Sequence, residues 1–309
     1  MNCITYKNFI NLLTIVISII FLLGYIISNY RQIYFLFSIS FLQVFFITLF
    51  LVLTVLTRGL LNTYFYRQLK VPLSYYDGTE LAIINILGNI FPFSGGLFAK
   101  GLYLKNHYQL QFTKYFSSTA SLSVCFIAVN GILNLLCVVI LSLLNYNVPA
   151  ILTSAFVLMS STIFLLWIPV NFNFFPKRFQ LHVHNIQVGW SLLIKQPFFF
   201  ICVIMIQLVS LFFVALRLWI MYKVFSIHVS ILICLMLAGL FILISIINIA
   251  PAGIGIREGV LGGVSYLMGY PFGISASVIA FDRVCSIFIV FLMGLVFSAI
   301  SKKKILKLI

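Results

Sequence analysis

Acidic residues are nearly missing from this sequence. Only four occur in 309 residues (Asp77, Glu80, Glu258 and Asp282), and charged residues of both signs make up 7% of the chain. A soluble domain carries about 25%. A water-facing surface cannot be assembled from so few carboxylates, which excludes a soluble enzyme and a secreted disulfide scaffold. Cysteine is scarce in pattern as well. Cys125, Cys137, Cys202, Cys234 and Cys285 lie inside apolar runs, Cys3 stands near the start, and no CxxC occurs, so they read as small hydrophobes. His182 and His184 have no Cys or carboxylate near them; an interfacial loop, not a metal site, is the reading. GxSxG, HExxH, P-loop and dinucleotide patterns are absent too, so no cofactor and no enzyme activity are expected.

What fills the chain is apolar. Hydrophobic residues reach 63% and the mean hydropathy is +1.20, which predicts an all-α, polytopic membrane protein. The net charge of +15 does not indicate nucleic acid, because the Lys and Arg residues fall mostly at the ends of apolar runs, where they snorkel to headgroups. Lys302, Lys303, Lys304 and Lys307 follow one such run and read as a stop against an anionic leaflet. Runs long enough to cross lie at 9–28, 33–57, 117–144, 149–170, 198–218, 228–249 and 273–300. The first reads as a retained anchor, and 171–197 as an interfacial loop.

The basic loops 58–80 (Arg58, Arg67, Lys70), 99–116 and 171–197 place themselves and both termini in the cytoplasm. Two apolar stretches, 81–104 and 250–272, are interrupted by Pro and Gly. If both loops flanking the first are cytoplasmic, it enters and returns as a re-entrant hairpin. The second then completes a crossing, which gives about eight crossings in all. The chain reads as one domain, with halves at about 1–145 and 146–309.

The two breaks resemble each other. Residues 89–101 read NIFPFSGGLFAKG and 248–260 read NIAPAGIGIREGV, so that Asn89, Pro92 and Gly96 align with Asn248, Pro251 and Gly255. Broken helix is tolerated at membrane depth only inside protein or around a wet cavity. Freed amides at a half-helix start can hold an anion, and paired breaks in two halves point to a transporter's midplane site. The two segments are expected to run antiparallel, as an inverted repeat requires.

Charges stand beside the breaks. Lys100 and Lys105 follow the first, Gly253, Gly255, Arg257 and Glu258 lie in or after the second, and Asp282 and Arg283 sit about ten residues into the last run, roughly 15 Å deep at 1.5 Å per residue. A charge there costs about 2.5–3.5 kcal/mol or more and needs a partner or water. Sequence neighbours do not face each other on a helix, so Arg257 is expected to pair with Asp282, or Glu258 with Arg283. Gln43, Asn85, Asn130, Asn134 and Gln207 read as interhelical hydrogen bonds.

At Pro251–Gly259 (PAGIGIREG), followed by Arg283 in the last run, the chain resembles the lysylphosphatidylglycerol synthase transmembrane-region family, also known as the flippase-like domain or UPF0104 family. Ile254 replaces the motif's second glycine. Pro92, Gly96, Lys100, Leu104 and Lys105 fit the family's spacing in the first half. The resemblance implies a multi-pass protein of the inner, cytoplasmic membrane that serves envelope lipid or glycan biosynthesis. Where the module accompanies an aminoacyl-transferase domain, it is regarded as the part that moves the lipid between leaflets. No such domain is expected in these 309 residues.

Together these readings give a lipid translocase. Its substrate would be a phospholipid or polyprenyl-phosphate-linked headgroup, held by Asn89, Pro92, Gly96, Lys100, Asn248, Pro251, Gly253, Gly255, Arg257, Glu258, Asp282 and Arg283. The alternative is a non-transporting partner of a glycosyltransferase or lipid synthase. Replacing Arg283 by leucine is expected to impair function more than replacing Arg58, read as a loop charge.

Overall fold

The computed structural model describes residues 39–90, 95–166, 196–247 and 255–306. Among them are nine α-helices and no strand. They are α1 (Phe41–Gln68), α2 (Tyr75–Gly88), α3 (Gly95–Tyr108), α4 (Phe112–Leu143), α5 (Ala150–Ser161, running into a 3-10 turn), α6 (Pro197–Val224), α7 (Ile231–Ile247), α8 (Ile256–Leu267) and α9 (Phe272–Leu306). The expected crossing at 9–28, nearly all of loop 171–197 with His182 and His184, and Pro92, Asn248, Pro251 and Gly253 lie outside the described residues.

Four stretches are long and apolar enough to cross a bilayer: Phe41–Gln68, Phe112–Leu143, Pro197–Val224 and Phe272–Ala299. At 1.5 Å per residue even the 28-residue ones exceed a hydrocarbon core of about 30 Å. Their outward faces carry large apolar side chains, among them Leu136 and Leu143 on α4 and Phe288, Phe291 and Leu295 on α9. That is the surface a lipid solvent requires. The protein is a multi-pass membrane protein.

Local chemistry sets where helices begin. Ser40 and Gln43 form a reciprocal cap at the start of α1, each binding the other's backbone N–H. Gln43 is therefore a cap and not an interhelical contact. Ser74 and Asp77 do the same for α2. The sequence reading of 58–80 as a loop is corrected here. Helix α1 continues to Gln68, so Arg58 lies inside a membrane helix and only the turn 69–74 separates α1 from α2.

Helices α2 and α3 form an antiparallel hairpin around the first break. Asn89 caps α2, and its Oδ1 accepts from the Gly96 N–H at 3.2 Å. Tyr103 further along α3 reaches back to Glu80 at 3.1 Å. The hairpin closes tightly at Gly96, where a Cβ would stand 2.0 Å from the Asn85 carbonyl oxygen. Each arm has 14 residues, short of the roughly 20 needed to span, as a re-entrant segment should be. In the second half α7 and α8 have 17 and 12 residues and flank the second break in the same way.

The repetition extends to the whole architecture. Helices α1–α4 run long, short, short, long, and α6–α9 repeat that order. Packing repeats with it. α1 packs on α2 and α6 on α7, α3 on α4 and α8 on α9, α2 on α9 and α7 on α4. The two units meet along α1 and α6. Phe50 stacks with Phe213 while Tyr64 and Phe65 stack with Phe199, so α1 and α6 are antiparallel and the repeat is inverted. Helix α5 lies outside the repeat, against α4.

The close approach at Gly96 gives a direct test. Gly96→Ala is expected to lower stability by about 1–3 kcal/mol, since the neighbour it strikes is backbone. Gly263→Ala in α8, with open space at its Cβ, should shift stability by no more than about 1 kcal/mol, upward. Thermal unfolding of the two detergent-solubilised variants checks this.

Candidate functional site

The polar residues inside the bundle gather around two cavities. One, of about 90 Å³, is lined by Thr54, Arg58, Asn89, Arg217, Ser245, Arg257, Arg283 and Ser286 together with apolar neighbours. The other, of about 160 Å³, is lined by Arg58, Asn62, Asn85, Asn89, Lys100, Thr119, Ser123, Gln207 and Ser245. A water needs only about 10–15 Å³ measured this way, so both can be wet. The first is walled by α1, α2, α6, α7, α8 and α9, the second by α1, α2, α3, α4, α6 and α7. Exchanging the two repeats turns one list into the other. Arg58, Asn89 and Ser245 belong to both.

In the Arg257 cavity the arginines are held by carboxylates from neighbouring helices. Asp282, fully buried on α9, accepts at Oδ2 from Arg217 Nη2 of α6 at 3.1 Å, and its Oδ1 stands 2.7 Å from Arg217 Nε in an ion pair. Arg283 binds Glu258 of α8 at 2.9 Å. Of the two expected pairings, Glu258 with Arg283 is present. Arg257 does not pair with Asp282, whose ion pair is with Arg217. Arg257 instead donates to Ser245 Oγ at 3.0 Å and lies over the Phe241 ring at 4.2 Å, a cation–π contact.

Gly255 opens α8 with φ +81°, a conformation that favours glycine. Its N–H donates to Glu258 Oε2 at 2.9 Å. Glu258 therefore ties the helix start to Arg283, and the second break is braced to α9 through one carboxylate.

The Lys100 cavity is built differently. Lys100 on α3 is buried, donates to Asn62 Oδ1 at 2.7 Å and lies 5.0 Å from the centre of the Tyr66 ring. Asn62 is fixed by its own amide, which donates to the Gly78 carbonyl at 3.0 Å. Its partner is neutral, so the ammonium charge is not cancelled. Gln207 is buried with Nε2 unpartnered among the described residues, and Asn85 Oδ1 is likewise unpartnered. For Asn130 and Asn134, both fully buried on α4, neither amide atom has a partner among the described residues, so the interhelical hydrogen bonds expected of them are not made there.

Sequence reasoning missed Arg58, Asn62, Gln207 and Arg217 as site residues. Arg217 stands one residue from the end of the run 198–218 and Arg58 one residue past the run 33–57, where a basic residue reads as a snorkelling end charge. The helices extend beyond both runs, to Val224 and Gln68, and that continuation brings the two arginines inside. Lys105 is exposed, as a plain loop-facing charge would be.

A family model described as the lysylphosphatidylglycerol synthase TM region matches residues 9–294. The chain belongs to that family. Neither the curated proteins nor the solved structures include a match. The matched region takes in both repeats of this lysylphosphatidylglycerol synthase TM-region protein and both cavities. Among the described residues no group of three or more His, Cys, Asp or Glu is placed to hold a metal.

The buried pair on α6 and α9 gives the next test. Arg217→Leu leaves Asp282 buried without its cation and is expected to cost about 3–5 kcal/mol of stability. The double variant Arg217→Leu/Asp282→Leu should recover most of that loss. Both are read from unfolding midpoints in detergent.

Proposed function

We propose that this protein moves a membrane lipid or a lipid-linked precursor between leaflets of the cytoplasmic membrane, with both termini in the cytoplasm, in support of envelope lipid or glycan biosynthesis. The observation that carries the reading is the pair of cavities. They exchange under the inverted repeat and share Arg58, Asn89 and Ser245 in their walls. Two chambers related by an inverted repeat are what alternating access to two leaflets needs.

Charge supports the same reading. Arg58, Lys100, Arg217, Arg257 and Arg283 line the cavities, while the carboxylates bonded to them are Asp282 and Glu258. The positive excess suits a phosphate-bearing headgroup, whose tails would stay against the apolar exterior. Arg257 and Arg283 would balance its charge, with Glu258 holding Arg283 in place. No nucleotide-binding pattern occurs in the sequence, so the movement would run downhill or on an ion gradient.

Reconstitution tests this. Pure protein in vesicles carrying tail-labelled phosphatidylglycerol should make inner-leaflet label accessible to an external quencher, and Arg283→Leu should slow that about tenfold, the equivalent of about 1.4 kcal/mol. Quenching no different from protein-free vesicles, with a glycosyltransferase or lipid synthase co-purifying, would replace this reading by that of a non-transporting partner.

A further inference from the structure

The two cavities share an architecture but differ in how their cations are partnered. In the Arg257 cavity Arg217 and Arg283 are each neutralised by a carboxylate, and Arg257 is engaged by Ser245 and Phe241. Among the described residues no carboxylate lines the Lys100 cavity. Lys100 has a neutral partner in Asn62, Arg58 takes part in neither ion pair, and the charged groups near enough to act on Arg58 and Lys100 share their sign. Two cations held together at membrane depth repel each other and call for an anion.

From this asymmetry we propose that the Lys100 cavity binds a phosphate group, held by Arg58 and Lys100 with the Gln207 amide as a neutral donor. In the Arg257 cavity, which carries the family's second motif, Arg217 and Arg283 are by contrast held in ion pairs, and of the second repeat's three arginines only Arg257 has neutral partners alone. Gln207 Nε2 is a buried donor with no partner among the described residues, and the Thr119 and Ser123 hydroxyls stand on the same wall. Guanidinium and ammonium together suit phosphate, the first by its fork and the second as a point charge. The space is also the larger of the two, about 160 against 90 Å³. The proposal deepens the translocase reading by naming where its cargo's phosphate rests, but it concerns binding and is measured separately.

Calorimetric titration of the detergent-solubilised full chain tests it with two probes, dihexanoyl phosphatidic acid and inorganic phosphate. Arg58→Gln and the near-isosteric Gln207→Glu, which sets a carboxylate against the two cations, should each weaken binding at least about tenfold. Arg58→Lys should keep it within about threefold, and an unchanged unfolding midpoint shows that each variant is folded. Binding of the lipid probe alone assigns the site to a headgroup. Equal binding of inorganic phosphate assigns it to free phosphate.

Wild-type affinity in Arg58→Gln and Gln207→Glu, or binding of neither probe, overturns the proposal. If wild-type protein binds but moves no lipid in vesicles, the site stands and the translocase reading falls. If Gln207→Glu loses binding yet moves lipid at the wild-type rate, the site does not serve the cargo.

Discussion

The bilayer's inability to hydrate charge is the constraint from which the rest of this structure follows. An ionised group at membrane depth must meet a partner or water, and this chain carries five cations to that depth with two carboxylates bonded to them. Asp282 is fully buried there with the Arg217 guanidinium against it. Arg283 is held by a carboxylate that also caps the start of α8. The polar-lined cavities and the broken helices beside them are consequences of the same rule, since polar groups and freed backbone are tolerated at that depth only where protein encloses them.

The inverted repeat distributes that constraint over two chambers. Antiparallel packing of α1 on α6, fixed by ring stacks at both ends, sets the units head to tail. Each chamber then draws its walls from both units. The repeat is one of helices and packing more than of side chains. Carboxylates bond to the arginines in one unit's chamber, while neutral amides face Lys100 and Arg58 in the other's. A symmetric scaffold thus carries cations that are partnered differently in its two chambers.

Much of the fold was legible in the residues. A continuous apolar run of about 20 residues has few alternatives to a spanning helix, and paired Pro and Gly interruptions have few alternatives to re-entrant segments at a repeat interface. The Glu258–Arg283 contact was one of two pairings legible in the spacing, and the residues alone did not choose between them. Arg58 and Arg217 were not legible. A hydropathy run ends at its first charge, whereas a helix ends where its packing and hydrogen bonds end. α1 carries on for ten residues past Arg58 because Leu61, Phe65 and Tyr66 are buried against neighbouring helices.

By itself the sequence determined that the chain must live in a membrane as a helical bundle, that it breaks twice, and that charges crowd those breaks. Composition and periodicity act locally, and a lipid solvent leaves the backbone almost no other choice. Only the tertiary structure decided which carboxylate neutralises which arginine. Pairing depends on helices distant in the chain, α6 with α9 and α8 with α9. Arg217 meets Asp282, Arg257 meets Ser245 and Phe241, and Arg58 lines the cavity that also holds Lys100.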